Sequence, residues 1–112
     1  MDAVSSAAKS LDETFKPGAI VLLALSNPRE KFWGVLLQLS TTGVGVRGVD
    51  LTSFDETLRM VRHKETVAPA EVFFPLHRLE RIDIDAPSFG VPSLRERFEM
   101  ASGESVASFL QF

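Results

Sequence analysis

The chain has 112 residues, the size of one domain, and with 45% hydrophobic and 24% charged residues it can build a core, which excludes wholesale disorder. Its 12 Lys and Arg against 15 Asp and Glu leave a net charge of −3, the wrong balance for a strongly basic nucleic-acid binder. Cysteine is absent, which excludes disulfides, thiolate metal sites and cysteine nucleophiles, and the two histidines have no metal-ligand spacing.

The first segment, Asp2 to Phe15, repeats Val4, Ala8, Leu11 and Phe15 at helical spacing, with Pro17-Gly18 as its stop. From Ala19 the pattern changes to β. Ala19 to Leu25 is an apolar run flanked by Pro-Gly and Ser-Asn-Pro. It is too short for a firm helix and far below the roughly 20 residues that span a bilayer. Ser26 to Glu30 reads as a turn. Lys31 to Ser40 is a second strand, Thr41-Thr42-Gly43 a tight turn, and Val44, Val46 and Val49 mark a third strand with Gly45 and Gly48 inside it. Glycines within strands signal sharp bending or close backbone approach. Three strands joined by short turns make an antiparallel meander, because parallel strands need long crossovers.

Ser53-Phe54-Asp55-Glu56 fits a capping box, which predicts a helix from Ser53 to about Val61 with Phe54, Leu58 and Val61 inward and Arg59 and Arg62 outward. A polar loop, His63 to Ala70, leads to a fourth strand at Glu71 to Arg78. Pro75 gives that strand an edge position or a break. A fifth strand covers Arg81 to Asp85. Pro87 to Pro92 is a linker. A second box, Ser93-x-x-Glu96, opens a helix to about Met100, ended by Gly103, with Leu94, Phe98 and Met100 as its apolar residues. The tail, Ser105 to Phe112, carries Val106, Phe109, Leu110 and Phe112 and is apolar enough to dock on this domain or on a neighbour.

The order helix, three-strand meander, inserted helix, two strands, helix resembles, up to Asp85, the Sm and Sm-like family. The residues that carry the resemblance are Phe32-Trp33-Gly34-Val35-Leu36, similar to that family's first motif, and Val72 to Ile82, similar to its second. In the second, His77 falls where the bacterial RNA-chaperone branch has Tyr-Lys-His, preceded here by Pro75-Leu76. The family's Asp-x-x-x-Asn is replaced by Leu39-Ser40-Thr41-Thr42-Gly43. The resemblance implies a mainly β chain: a small five-stranded antiparallel Sm-like or SH3-like barrel over residues 1–85. An N-terminal helix and a short inserted helix belong to it, and a linker, helix and apolar tail over 86–112 pack on the same domain. It also implies head-to-tail rings, in which strand four of one subunit pairs with strand five of the next.

Candidate partner-binding residues follow. For RNA the candidates are His77, which the resemblance aligns with the family's histidine, with Arg78 and Arg47, and Arg59, Arg62, His63 and Lys64 form the main basic cluster. The competing reading is a solvated face balanced by Asp55, Glu56, Glu65, Glu71 and Glu80. Adjacent strand residues point to opposite faces, so one of each pair Phe32/Trp33 and Phe73/Phe74 is core and the other exposed or at an interface. Trp33, Phe73, Phe74 and Phe109 are the interface candidates, and they predict a homo-oligomer.

Catalytic residues, cofactors and metals are not indicated. Asp83 and Asp85 share a strand face but read as solvated, and Gly43-x-Gly45-x-x-Gly48 lies in a hairpin rather than before a helix. The expectation is a non-enzymatic Sm-like module that self-associates and binds RNA or a protein. The alternative, favoured by the acidic balance, is a protein-interaction or scaffold module that binds no nucleic acid. The start of the chain lacks the basic and apolar segments of a signal peptide, so the expected location is cytoplasmic, with no membrane partner.

Overall fold

A computed structural model describes residues 11–112. The predicted helix over residues 2–15 lies outside the described residues except for its end, α1 (Leu11–Thr14). Five strands follow: β1 (Ile20–Leu25), β2 (Glu30–Leu39), β3 (Gly43–Asp50), β4 (Ala70–Pro75) and β5 (Leu79–Ile84). Helix α2 (Phe54–Arg62) sits between β3 and β4, and α3 (Leu94–Ser102) and α4 (Val106–Leu110) close the chain. All strand pairs are antiparallel, in the order β4-β3-β2-β1-β5. The chain is therefore mainly β, as expected, with the meander at its centre.

That order forces curvature. β4 and β5 are the outermost strands, about 19 Å apart if the sheet were flat. Only the short 3₁₀ turn Leu76–Arg78 joins them, and a link from Pro75 to Leu79 reaches at most about 14 Å. The sheet must curl until its edges approach one side of a shared core. Val72 and Phe74 of β4 and Leu79 and Ile82 of β5 accordingly pack on the same cluster, formed by Val21, Leu23, Leu25, Phe32, Leu36, Val44 and Val46. β4 and β5 share no ladder, so the sheet is curled but open.

Gly34 and Gly48 face each other across β2 and β3. A Cβ on Gly34 would lie 2.2 Å from the Arg47 carbonyl oxygen, and one on Gly48 would lie 1.9 Å from that of Trp33. Neither position can carry a side chain without moving backbone.

A second cluster occupies the outer face. Ile20, Trp33, Val35 and Val49 from the sheet meet Phe54 and Leu58 of α2, Phe98 of α3, and Val106 and Leu110 of α4. Trp33 stacks on Phe98 at 5.8 Å and meets the edge of Phe54 at 5.3 Å. With apolar cover on both faces, β1 reads as an unbroken run, Ile-Val-Leu-Leu-Ala-Leu, rather than an alternating one.

Several expectations are corrected. The fourth strand ends at Pro75, not Arg78: Pro75 has no N–H, and once the Leu76 amide has bonded the Thr42 carbonyl the chain winds into the 3₁₀ turn Leu76–Arg78. The fifth strand begins at Leu79 and ends at Ile84. Ser53 makes no side-chain cap; the Asp50 carboxylate accepts from the Thr52 amide and caps a 3₁₀ turn, Leu51–Ser53, that runs into α2. The box at Ser93 forms on both arms, with Glu96 N donating to Ser93 Oγ at 3.0 Å and Ser93 N to Glu96 Oε1 at 2.8 Å. Met100 is exposed. The tail docks within the chain, with Val106 and Leu110 fully buried.

Candidate interaction surfaces

Arg78 is placed by the 3₁₀ turn between β4 and β5, and its guanidinium is consumed there. Nε donates to the Ser26 carbonyl at 2.8 Å, and Nη2 donates to the Pro28 carbonyl at 2.8 Å and to Glu30 at 2.7 Å. The Phe74 ring lies 5.7 Å below. All the partners except Phe74 belong to the β1–β2 turn or the start of β2. Arg78 therefore fastens the link between the sheet edges to the first hairpin.

Arg47 has a comparable task on β3. It pairs with Glu71 of β4 at 2.6 Å and donates to the carbonyls of Leu110 and Gln111 at 3.2 and 3.1 Å. Those carbonyls end α4, where a cation is favoured by the helix dipole and by the orphan oxygens themselves. Arg59 bridges Glu56 and Glu65, and the hydrogen bonds it donates, to Glu56 first and Glu65 second, raise its pKa above the ordinary arginine value. Three of the predicted RNA contacts thus have intramolecular partners. Arg62, Lys64 and His77 are exposed, and among the described residues Arg62 and Lys64 form no ion pair. His77 lies in the 3₁₀ turn rather than in a strand.

The aromatic candidates divide in the same way. Trp33, expected at an interface, is fully buried inside the chain. The pairing argument fails at Phe32/Trp33 because helices cover the outer face as well, so both rings are core. Phe74 is half-buried, edge-on to Phe32 at 5.5 Å. Phe109 is half-buried against Phe98 at 5.1 Å. Phe73 is the exception: 52% exposed, on the outer side of β4, with its ring where a Cβ on Gly43 would otherwise stand.

Sequence reasoning missed two residues. Asp85, read as solvated, accepts from Trp33 Nε1 at 3.1 Å and from the Leu94 and Arg95 amides at 2.9 and 2.8 Å. Phe89, read as linker, stands fully exposed at the tip of a turn closed by two Ser88–Val91 hydrogen bonds of 2.9 and 2.8 Å. The only signal for Phe89 was its neighbour Gly90. Nothing local could reveal Asp85, whose indole partner is 52 residues away.

Where the helices leave the outer face uncovered, a groove of about 330 Å³ opens between β1, β5 and the start of α3, with Leu22, Leu51, Ile84, Val91 and Leu94 in its walls. A smaller depression of about 270 Å³ adjoins it at Leu22 and Asp83 and is lined by Ala24, Lys31, Glu80 and Arg81. Arg81 pairs with Asp83 at 2.9 Å and Arg97 with Asp55 at 3.0 Å, while Asp85 on the groove wall forms no ion pair among the described residues. Among the described residues no three His, Asp or Glu side chains converge as a metal would require, and no helix is long and apolar enough to cross a membrane.

Comparison of the chain with protein-family models, with curated proteins and with solved structures finds no match.

Proposed function

We propose that the chain is a non-enzymatic module of Sm-like or SH3-like build that self-associates through the free edges of its sheet, and that its partners are protein rather than RNA. One observation carries this reading. Among the described residues β4 and β5 each lack a second ladder partner, and β4 carries the half-exposed ring of Phe73. Unpaired strand edges offer rows of backbone donors and acceptors, and natural proteins that stay monomeric blunt them with charge, bulges or cover. An edge bearing Phe73 instead invites a second strand, and antiparallel addition would satisfy the backbone while specificity comes from the side chains.

The engagement of Arg47, Arg59 and Arg78 within the chain favours protein over nucleic acid. Phosphate binding needs several uncommitted cations and weakens steeply with salt. The test is native mass by light scattering at low and high salt, for the wild type and for Phe73→Lys, together with titration of a labelled uridine-rich RNA. The reading expects wild-type oligomers that persist at high salt, a shift toward monomer in Phe73→Lys, and no salt-sensitive RNA affinity. A wild type that is monomeric throughout overturns self-association. RNA affinity that falls steeply with salt and is lost in Arg62→Ala/Lys64→Ala overturns the choice of protein over RNA.

A further inference from the structure

The two free edges differ in what they offer a further strand. β5 is broken at Glu80, which pairs with no residue of β1 where the register shifts between Ala24 and Leu25. The Glu80 side chain is exposed and forms no ion pair among the described residues. A bulge and a free charge are ordinary means of blunting an edge. β4 keeps an unbroken register with β3 from Ala70 to Pro75, and its one charged residue, Glu71, is neutralised by Arg47 of β3 at 2.6 Å.

The backbone of β4 then fixes how a partner strand can sit. The Leu76 amide donates to the Thr42 carbonyl, one step beyond the β3–β4 register, so the amides and carbonyls of Phe74, Val72 and Ala70 also turn toward β3. Those of Glu71 and Phe73 turn outward, and Pro69 and Pro75 fall on the same outward phase. Proline has no N–H, so this edge donates through Glu71 and Phe73 alone. The two donors stand one residue either side of Val72, and the two prolines three residues either side of it. The edge is therefore symmetric about Val72 in its donors and in its ends.

We propose that two copies pair β4 to β4, antiparallel, about a twofold axis at Val72. The Glu71 amide then meets the partner's Phe73 carbonyl and the Phe73 amide the partner's Glu71 carbonyl. The twofold repeats both bonds and leaves no edge amide unmatched. The ladder stops at each end, where Pro69 faces the partner's Pro75. On the inner face Val72 opposes the partner's Val72, in the kind of pair whose side chains stand closest. Val72 already packs on the inner core, which the pair extends. On the outer face each Phe73 lies beside the partner's Glu71, whose charge the partner's Arg47 balances. A head-to-tail ring needs β5 as its second edge, whereas this pairing uses β4 alone and closes at two. The pairing rests on the self-association proposed above, to which it adds an edge, a register and a stoichiometry.

The chain has no cysteine, so single cysteines report the register directly. Val72→Cys puts two thiols in the facing pair, with Cβ atoms about 4.5–5.5 Å apart and near the disulfide range. Ala70→Cys is more exposed, but the twofold sets it opposite Phe74 and about 13 Å from its own copy. With oxidised glutathione, non-reducing electrophoresis should show a covalent dimer for Val72→Cys and at least about 10-fold less for Ala70→Cys. Sedimentation then compares the wild type with Phe73→Pro and Ile84→Pro. Each removes one outward amide, from β4 and from β5, and keeps the ladder beneath it, which circular dichroism verifies. The wild type and Ile84→Pro should dimerise, and Phe73→Pro should do so at least about 10-fold more weakly, because two of the bonds are lost with it. Equal cross-linking of the two cysteines overturns the β4 pair while self-association stands. So does a dimer lost in Ile84→Pro and kept in Phe73→Pro, or a species beyond the dimer that both prolines dissolve. A wild type that stays monomeric at every concentration overturns both. Should Phe73→Pro fail to fold, the cysteine pair decides alone.

Discussion

The indole N–H of Trp33, at the centre of the outer core, donates across 3.1 Å to the carboxylate of Asp85, the residue just beyond β5. The same carboxylate receives the first two amides of α3, and Ser93 Oγ receives the third. One side chain thus satisfies a buried donor and the orphan amides of a helix start. It ties the sheet to the helix whose Phe98 stacks on that tryptophan.

Asp85→Ala leaves the Trp33 N–H without its acceptor and strips two amides of theirs, and should cost about 2–4 kcal/mol, from the desolvation of an unmade hydrogen bond plus a lost cap. Trp33 is the chain's single tryptophan, so its fluorescence during urea unfolding reads the loss directly. A variant within 0.5 kcal/mol of wild type, roughly the range of a neutral surface change, would contradict the role given to Asp85.

Gly34→Val should abolish the cooperative fold, and Gly34→Ala should lie at or beyond the upper end of the roughly 1–3 kcal/mol typical of overpacking. The added Cβ meets the Arg47 backbone, which cannot rotate away as a side chain would. Gly45→Ala is the control, because the nearest atom to its Cβ is 3.8 Å away. Thermal melts of the three variants give the comparison, and a well-folded Gly34→Val would contradict the close approach of β2 to β3.

Arg78→Ala should lower stability by about 2–3 kcal/mol, since hydrogen bonds involving charged groups contribute more than neutral ones and Glu30 would lose its partner. Arg78→Lys should restore little, because an ammonium cannot reproduce the planar fork that reaches two carbonyls and a carboxylate. Equal denaturation midpoints for Arg78→Lys and wild type would show that charge alone suffices.

Acid should weaken the fold at the β3–α2 junction. Hydrogen bonds from the Thr52 hydroxyl and amide hold the Asp50 carboxyl below its ordinary value of 3.8. The Arg59 hydrogen bond likewise holds Glu56 below 4.5. A depressed folded-state pKa contributes stability that is present above the unfolded value and lost as pH falls through the folded one. Asp50→Asn should therefore be less stable than wild type at neutral pH, and the gap should narrow as pH drops below about 4. Urea midpoints at several pH values test this, and a gap constant down to pH 3 would contradict it.

The elements that local chemistry decides were legible. Pro17-Gly18, Ser-Asn-Pro and Thr-Thr-Gly mark chain reversals that the structure keeps, and Gly103 ends α3 at φ +79°. The box at Ser93 formed because both its arms lie within one turn. The box at Ser53 did not, because Asp50 reached the Thr52 amide first and the chain entered α2 through a 3₁₀ turn. The basic candidates were legible as charges but not as contacts, since Arg78 finds its polar partners 48 to 52 residues away.

From the sequence alone came the antiparallel meander, the inserted helix, the apolar segments and the glycines that let strands approach. Each depends on spacing along the chain and on backbone freedom. Which aromatic ring is core and which is surface was decided only in three dimensions. α2, α3 and α4 cover the outer face over Trp33, while Phe73 stays half-exposed and Phe89 fully exposed. Burial depends on what a distant segment brings, so the same residue type one position apart can hold the core together or face solvent.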